Sequence, residues 1–323
     1  MAVAGRNNGR NSRFGASDGL MLIAVVMWGV NFSFIKIALR ELSPGGFNGV
    51  RLLFSAVVLA LLMVVTGESF AVARKDLWKL LAIGIIGNTV YQILFIRGVS
   101  LTTASNTSLI LSTSPIFVAL MSAGLRVEKI HWAAWGGIFL SFFGLYLIIT
   151  KQNGGPRFSG QSLRGDILVF WGTILWASYT VFAKPFLEDM TPLKFSAITM
   201  GLGTIFYLPF TARDILEIPW GAVTLKAWLS LFFSGMFGLV LGYIIWYYSV
   251  KRVGNAKTAI YNSLTPIFTV FFAVLFLQER FSAAQAMGAV VVLAGVYLTR
   301  AGYRFFMRPS RESANRVRGR RTV

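Results

Sequence analysis

The stretch DGLMLIAVVMWGVNFSFIKIALRELSPGGF, residues 18–47, returns in altered form as DILVFWGTILWASYTVFAKPFLEDMTPLKF, residues 166–195. Between Gly19 and Leu39 the only charged side chain is Lys36. About 20 apolar residues at 1.5 Å rise per residue match the hydrocarbon thickness of a bilayer, so this reads as a membrane helix. An offset of 148 carries Asp18, Trp28, Lys36, Pro44 and Phe47 onto Asp166, Trp176, Lys184, Pro192 and Phe195. Further along, an offset of 151 carries Pro115-Ile116-Phe117 onto Pro266-Ile267-Phe268, and Glu128, Gly137, Gly144 and Tyr146 onto Glu279, Gly288, Gly295 and Tyr297. Asp, Glu, Lys, Trp and Pro are uncommon in apolar sequence, so their recurrence marks an internal duplication with a short insertion between the two frames.

Working outward from these segments, the whole chain has a membrane composition. Hydrophobic residues make up 55% and charged residues 13% of 323 positions, against about a quarter charged in an ordinary globular domain. Apolar runs predict helices near 19–39, 45–66, 77–98, 102–124 and 129–150, then 166–187, 193–210, 225–250, 256–277 and 281–301. The expected fold is all-α: an integral membrane protein with ten transmembrane helices in two five-helix repeats. Residues 1–17 form a basic N-terminal tail, 18–150 the first repeat, 151–165 an outer loop, 166–301 the second repeat and 302–323 a basic C-terminal tail. Five is odd, so the second repeat enters the membrane from the opposite face. Two such inverted halves can exchange conformations and open one central site alternately to either side.

The net charge of +19 follows the membrane rather than a nucleic acid. With a cytoplasmic N-terminus and alternating helices, inner segments hold twenty Lys and Arg and outer segments eight. That asymmetry places both termini in the cytoplasm and the protein in the plasma (inner) membrane, with the Arg-rich, disordered tails on anionic lipid. No aromatic-laced basic fold accompanies the charge, so nucleic acid is not an expected partner. The first helix is too long for a cleavable signal and lacks a small-residue cleavage site. Cysteine is absent, which removes disulfides and thiol chemistry.

Polar and aromatic side chains at membrane depth need partners or a wet cavity. In the third helix Asn88, Tyr91, Gln92 and Phe95 share one face at helical spacing; Tyr243, Trp246, Tyr247 and Val250 repeat that spacing in the eighth. The first helix offers Trp28, Asn31 and Phe32, the sixth Trp176, Tyr179 and Thr180. Ser108, Ser112, Tyr261, Asn262 and Thr265 lie just ahead of Pro115 and Pro266, whose missing N–H groups permit bending in a gate. Together these predict an amphipathic substrate cavity, aromatic walls with a few amides and hydroxyls. Each one also has a plain reading as a helix-to-helix hydrogen bond or a space filler. Arg51 lies about two turns into the second helix, where a charge costs ~2.5–3.5 kcal/mol on insertion scales. Lys36, a turn from the helix end, can snorkel to the surface. Asp18 and Asp166 read as N-caps, Glu128 and Glu279 as surface or interface charges, and the spaced glycines as helix-packing positions, with a dimer contact as their functional alternative.

An intramembrane enzyme would need nucleophiles, acid–base pairs or metal ligands at depth. His131 is the only histidine and reads as a loop residue, and all twelve carboxylates read as lying near helix ends, in loops or in tails. No catalytic residues, metal site or cofactor are expected. A helical receptor is the other alternative class, and the inverted repeat argues against it. The absence of a mid-helix carboxylate favours neutral or zwitterionic solutes over permanent cations, because a buried unpaired charge costs several kcal/mol.

Trp28-Gly29, Asn31-Phe32, Lys36 and Arg51-Leu52-Leu53-Phe54 resemble the drug/metabolite transporter superfamily, EamA type. So do Thr103-Ala104-Ser105-Asn106, the two Pro-Ile-Phe segments and Gln278-Glu279-Arg280 followed by Gly288 and Gly295. The likeness covers about residues 18 to 301. It implies ten helices in two inverted repeats, cytoplasmic termini and export of amino acids or related small metabolites. A multidrug or organic-cation exporter of the same fold remains the alternative, since no single-substrate motif runs through the family.

Overall fold

A computed structural model describes residues 16–125, 132–150 and 160–306. Its helices are α1 (Ala16–Ala38), α2 (Pro44–Val65), α3 (Arg74–Leu101), α4 (Ala104–Leu111 and Ser114–Gly124) and α5 (Trp132–Thr150). They continue with α6 (Gly160–Asp189), α7 (Pro192–Leu216), α8 (Leu225–Val253), α9 (Asn255–Asn262 and Thr265–Leu277) and α10 (Ala283–Phe306). Among the described residues seven helices, α1 to α4 and α6 to α8, are long and apolar enough to cross a membrane. The second part of α9 and residues Ala283–Leu298 of α10 are shorter apolar helices. Large apolar side chains such as Phe139, Phe210 and Phe271 stand exposed on the outside, the arrangement that suits a lipid solvent.

The two halves start their helices in register. Pro44 and Pro192 begin α2 and α7 at the offset of 148, each behind a hydroxyl cap: Ser43 Oγ accepts from Gly46 N and Thr191 Oγ1 from Lys194 N. Proline is tolerated there because the first-turn N–H has no helical partner. Arg74, Ala104, Ser114 and Trp132 map at 151 onto Leu225, Asn255, Thr265 and Ala283, which begin the corresponding helices. α3 and α8 each contain a π-helical segment, Ile85–Val90 and Ser234–Leu241, and these end at equivalent residues. Equivalent residues also touch one another. Gln92 Nε2 donates to Tyr243 Oη (3.2 Å), Asn262 Nδ2 to the Leu111 carbonyl (3.1 Å) and Ser141 Oγ to the Val292 carbonyl (3.3 Å). Symmetry-related residues meet only near their axis, so a pseudo-twofold axis passes through the middle of the bundle.

The spaced glycines lie on that axis too, where α5 packs on α10 within the chain. A Cβ on Gly144 would stand 2.7 Å from Val292 N, and one on Gly295 only 2.6 Å from the Gly137 carbonyl. Only glycine permits this approach.

Several sequence expectations change. α6 begins at Gly160, so residues 160–165 are helical rather than loop, and Asp166 sits inside the helix rather than at its cap. The polar turn before the apolar run keeps its backbone hydrogen bonds, which hydropathy does not register. Asp166 is fully buried and accepts from Thr102 Oγ1 (2.6 Å) and Asn106 Nδ2 (3.4 Å). Asp18 lies in the first turn of α1 and accepts from Tyr261 Oη. Of the two readings of Glu279 the interface one holds: it accepts from Ala104 N (2.8 Å), Ser105 N (3.2 Å) and Ser105 Oγ (2.7 Å), capping α4 from the end of α9. Gln278, in the left-handed region at φ 56°, makes the turn that aims it there. Glu41 likewise receives Thr224 N (2.8 Å) and Oγ1 (2.7 Å) at the start of α8, bonds that hold its carboxyl below the usual range. α7 runs on through Pro209 to Leu216, and α10 extends to Phe306, five residues into the expected tail (302–306 being helical). Glu128, Lys129, His131 and most of both tails lie outside the described residues.

Pro115 and Pro266 do not bend continuous helices; each opens the second piece of a broken one. Pro115 has no N–H for the Leu111 carbonyl four residues back, and Asn262 supplies the donor from the other repeat. Removing that donor should leave a buried carbonyl unpaired. Asn262→Ala is expected to lower thermal stability in detergent by about 1–3 kcal/mol. Adding Pro115→Ala, which restores a local N–H, should recover part of the loss.

Candidate functional site

Where the π segments of α3 and α8 meet the breaks of α4 and α9, the helices enclose a cavity of about 60 Å³. That is room for a few water molecules. α1 contributes Trp28, Asn31 and Phe32, α2 Arg51, and α3 Tyr91, Gln92 and Phe95. The second repeat adds Trp176 from α6, Gly238, Leu239 and Tyr243 from α8, and Asn262 and Thr265 from α9; Leu111 of α4 closes the wall. Eleven of the residues singled out in the sequence therefore face one space: Trp28, Asn31, Phe32, Arg51, Tyr91, Gln92, Phe95, Trp176, Tyr243, Asn262 and Thr265.

The others lie elsewhere, for local reasons. Asn88 is inside the π segment, whose wider turn breaks the α-helical spacing that put it on the Tyr91 face. It donates instead to Tyr179 Oη (3.1 Å), which also pairs with Thr199 (2.7 Å). Tyr247 is buried beside it, 5.4 Å between ring centroids. Trp246 stands behind the wall rather than in it: its ring packs 5.4 Å from Trp28 and 5.5 Å from Trp176, while Nε1 donates to Thr180 Oγ1 (3.2 Å). Ser108 and Ser112 donate back to the carbonyls of Ser105 (2.8 Å) and Leu109 (2.6 Å) in their own helix. Tyr261 is tied to Asp18 at the other end of α1. Leu111, Gly238 and Leu239 carried no chemical signal in the sequence; they line the cavity because helix breaks and π turns bring their backbone to the axis.

Many of the polar groups around the cavity are committed to the fold. Trp28 Nε1 donates to the Gly238 carbonyl (2.9 Å), released by the π segment of α8. Asn262 gives its two protons to the Leu111 carbonyl and Ser114 Oγ (2.9 Å) and accepts from Thr265 Oγ1 (3.2 Å). Gln92 is filled by Tyr243 on its nitrogen and by Arg51 Nη2 on its oxygen (2.8 Å). Removing these from the inventory leaves few groups for a solute. The Asn31 carbonyl oxygen is buried without a hydrogen-bond partner, and so is Arg51 Nε.

Fold and site together define a multi-pass membrane protein with a small internal chamber of aromatic and polar walls. The chain belongs to the EamA-like transporter family, whose pattern matches residues 16–150 and again 163–301. It is a membrane transporter and not an enzyme. An uncharacterized transporter of Archaeoglobus fulgidus is 32% identical over 285 residues, covering 87% of this chain and 96% of that one. A probable amino-acid metabolite efflux pump of Escherichia coli is 26% identical, covering 89% and 96%. A probable terminal-alkyne amino-acid exporter of Streptantibioticus cattleyicolor is also 26% identical, covering 86% and 91%. A solved crystal structure shares the fold at TM-score 0.69 and 17% identity, covering 91% of this chain and 100% of that chain.

The aromatic wall and the Trp246 ring that backs it generate a direct expectation. Trp246→Ala and Tyr243→Ala should each reduce solute flux several-fold in proteoliposomes at matched protein density, since such rings supply much of a pocket's contact area. The lipid-facing control Phe271→Ala, 62% exposed, should leave flux unchanged.

Proposed function

We propose that this transporter moves amino acids or related small neutral or zwitterionic metabolites outward across the plasma membrane by alternating access. It crosses the membrane ten times, as two inverted repeats, with both termini in the cytoplasm and their arginines on anionic lipid. The observation that carries this reading is the cavity on the pseudo-twofold axis, walled by both repeats. Movement of either repeat against the other changes its walls, and an inverted pair gives the two movements opposite faces. At about 60 Å³ the cavity is smaller than an amino acid needs, so loading requires its walls to move.

The lining favours a zwitterion over a cation. Its one charged group is Arg51, and no carboxylate stands among the lining residues. Aromatic faces attract a cation by only ~2 kcal/mol per desolvated contact, too little to offset burial beside a guanidinium. The efflux-pump and exporter descriptions of the 26% identical relatives agree in substrate class.

Counterflow in proteoliposomes of the purified protein tests this directly. L-Leucine, L-phenylalanine and L-threonine should exchange, and tetraethylammonium should not. Robust exchange of the quaternary ammonium with indifference to every amino acid would reverse the assignment.

A further inference from the structure

Arg51 is 1% exposed and carries a full positive charge into the middle of the bundle. Its hydrogen bonds go to neutral acceptors: Nη1 to Ser234 Oγ (2.9 Å) and Nη2 to Gln92 Oε1 (2.8 Å). Nε has no partner. Among the described residues the ion pairs are Lys79–Asp76 and Arg213–Glu217, and no carboxylate reaches Arg51. The rings of Phe47 and Phe95, 5.4 and 6.0 Å from Cζ, flank the guanidinium and hold it in place. A buried ion is ordinarily neutralised by a partner, because two neutral acceptors do not replace the solvation that burial removes. Here the counter-charge is missing, and the cation lines the axial cavity walled by both repeats.

We propose that Arg51 is the carboxylate-recognition site of the cavity, its counter-ion supplied by the transported solute. This rests on the transport reading and adds the group by which the solute is selected. A planar fork of N–H donors matches a carboxylate in two-point geometry, stronger than the bond to a neutral amide. Gln92 Oε1 holds one position on that fork in the unloaded protein, and a solute carboxylate takes it over. Gln92 is also the side chain that joins α3 to Tyr243 of α8, so its displacement touches a contact between the two repeats. The unpaired Asn31 oxygen in the same cavity accepts from an ammonium group. The pattern selects a monocarboxylate with a nearby amine. A dicarboxylate finds no second cation among the lining residues, and an amino-acid amide arrives as a cation facing a cation.

The test uses the intact protein in proteoliposomes and compares exchange of L-leucine, L-phenylalanine and L-threonine with that of each one's amide and with L-aspartate. In the unaltered protein, half-saturation for the amides should be at least roughly tenfold higher than for the parent acids, the factor expected from one lost charged hydrogen bond. Arg51→Gln should weaken the acids by a similar factor and erase the acid–amide difference; Arg51→Lys should keep part of it. Gln92→Glu, which places a carboxylate of the protein on the guanidinium, should reverse the preference toward the amide. Equal exchange of acids and amides by the unaltered protein overturns the carboxylate site while leaving amino-acid transport standing. So does Gln92→Glu with its acid preference intact. Failure of every amino acid to exchange overturns the transport reading and this inference together.

Discussion

In hydrocarbon no backbone N–H or C=O can be left without a partner, and the architecture of this protein follows from how it meets that constraint at its centre. Regular helix satisfies the backbone at the lipid surface. The irregular backbone is confined to the axis: π segments in α3 and α8, breaks in α4 and α9. There the opposite repeat supplies the missing partners. Asn262 reaches the Leu111 carbonyl, Ser263 the Ser112 carbonyl (3.4 Å) and Trp28 the Gly238 carbonyl. These bonds tie the repeats together at the place where the proposed alternating access needs them to move. Irregular backbone beside a solute cavity is the usual arrangement in membrane transporters, because only there can polar groups change partners.

Much of this was readable in the residues. The apolar runs gave the helices, and Trp28/Trp176, Pro44/Pro192 and Pro115/Pro266 gave the duplication, because rare residues in apolar sequence mark position. The converging faces of α1, α3, α6 and α8 located most of the cavity wall by α-helical spacing alone. The errors came where spacing or hydropathy ceases to describe the backbone. A π turn rotated Asn88 away from Tyr91, so the assumed common face ended one turn early. Hydropathy started α6 at Asp166 although the helix begins six residues before it, and it left open whether Glu279 lies at the surface or at an interface, where it caps α4. Gly238 and Leu111 were invisible because they contribute position rather than chemistry.

The division between structural and functional polar groups was also beyond sequence reasoning. Asn262, Ser108 and Ser112 look equally suited to bind a solute, yet their hydrogen-bonding groups are occupied by the fold. Arg51 stands apart because its charge has no internal answer. The chamber thus combines walls that are aromatic and adaptable with one fixed cation, and it holds no acid among its lining residues. In the carboxylate-recognition proposal the solute supplies the component that the site lacks.

The central claim is that the axial cavity opens alternately to the two sides. The chain has no cysteine, so a single thiol can be placed without background. Thr265→Cys puts one in the cavity wall, and its reaction with a membrane-impermeant methanethiosulfonate can be followed in right-side-out and inside-out vesicles. Alternating access predicts modification from both sides, altered in rate by a transported amino acid. Modification from one side only, at a rate indifferent to solute, would contradict it.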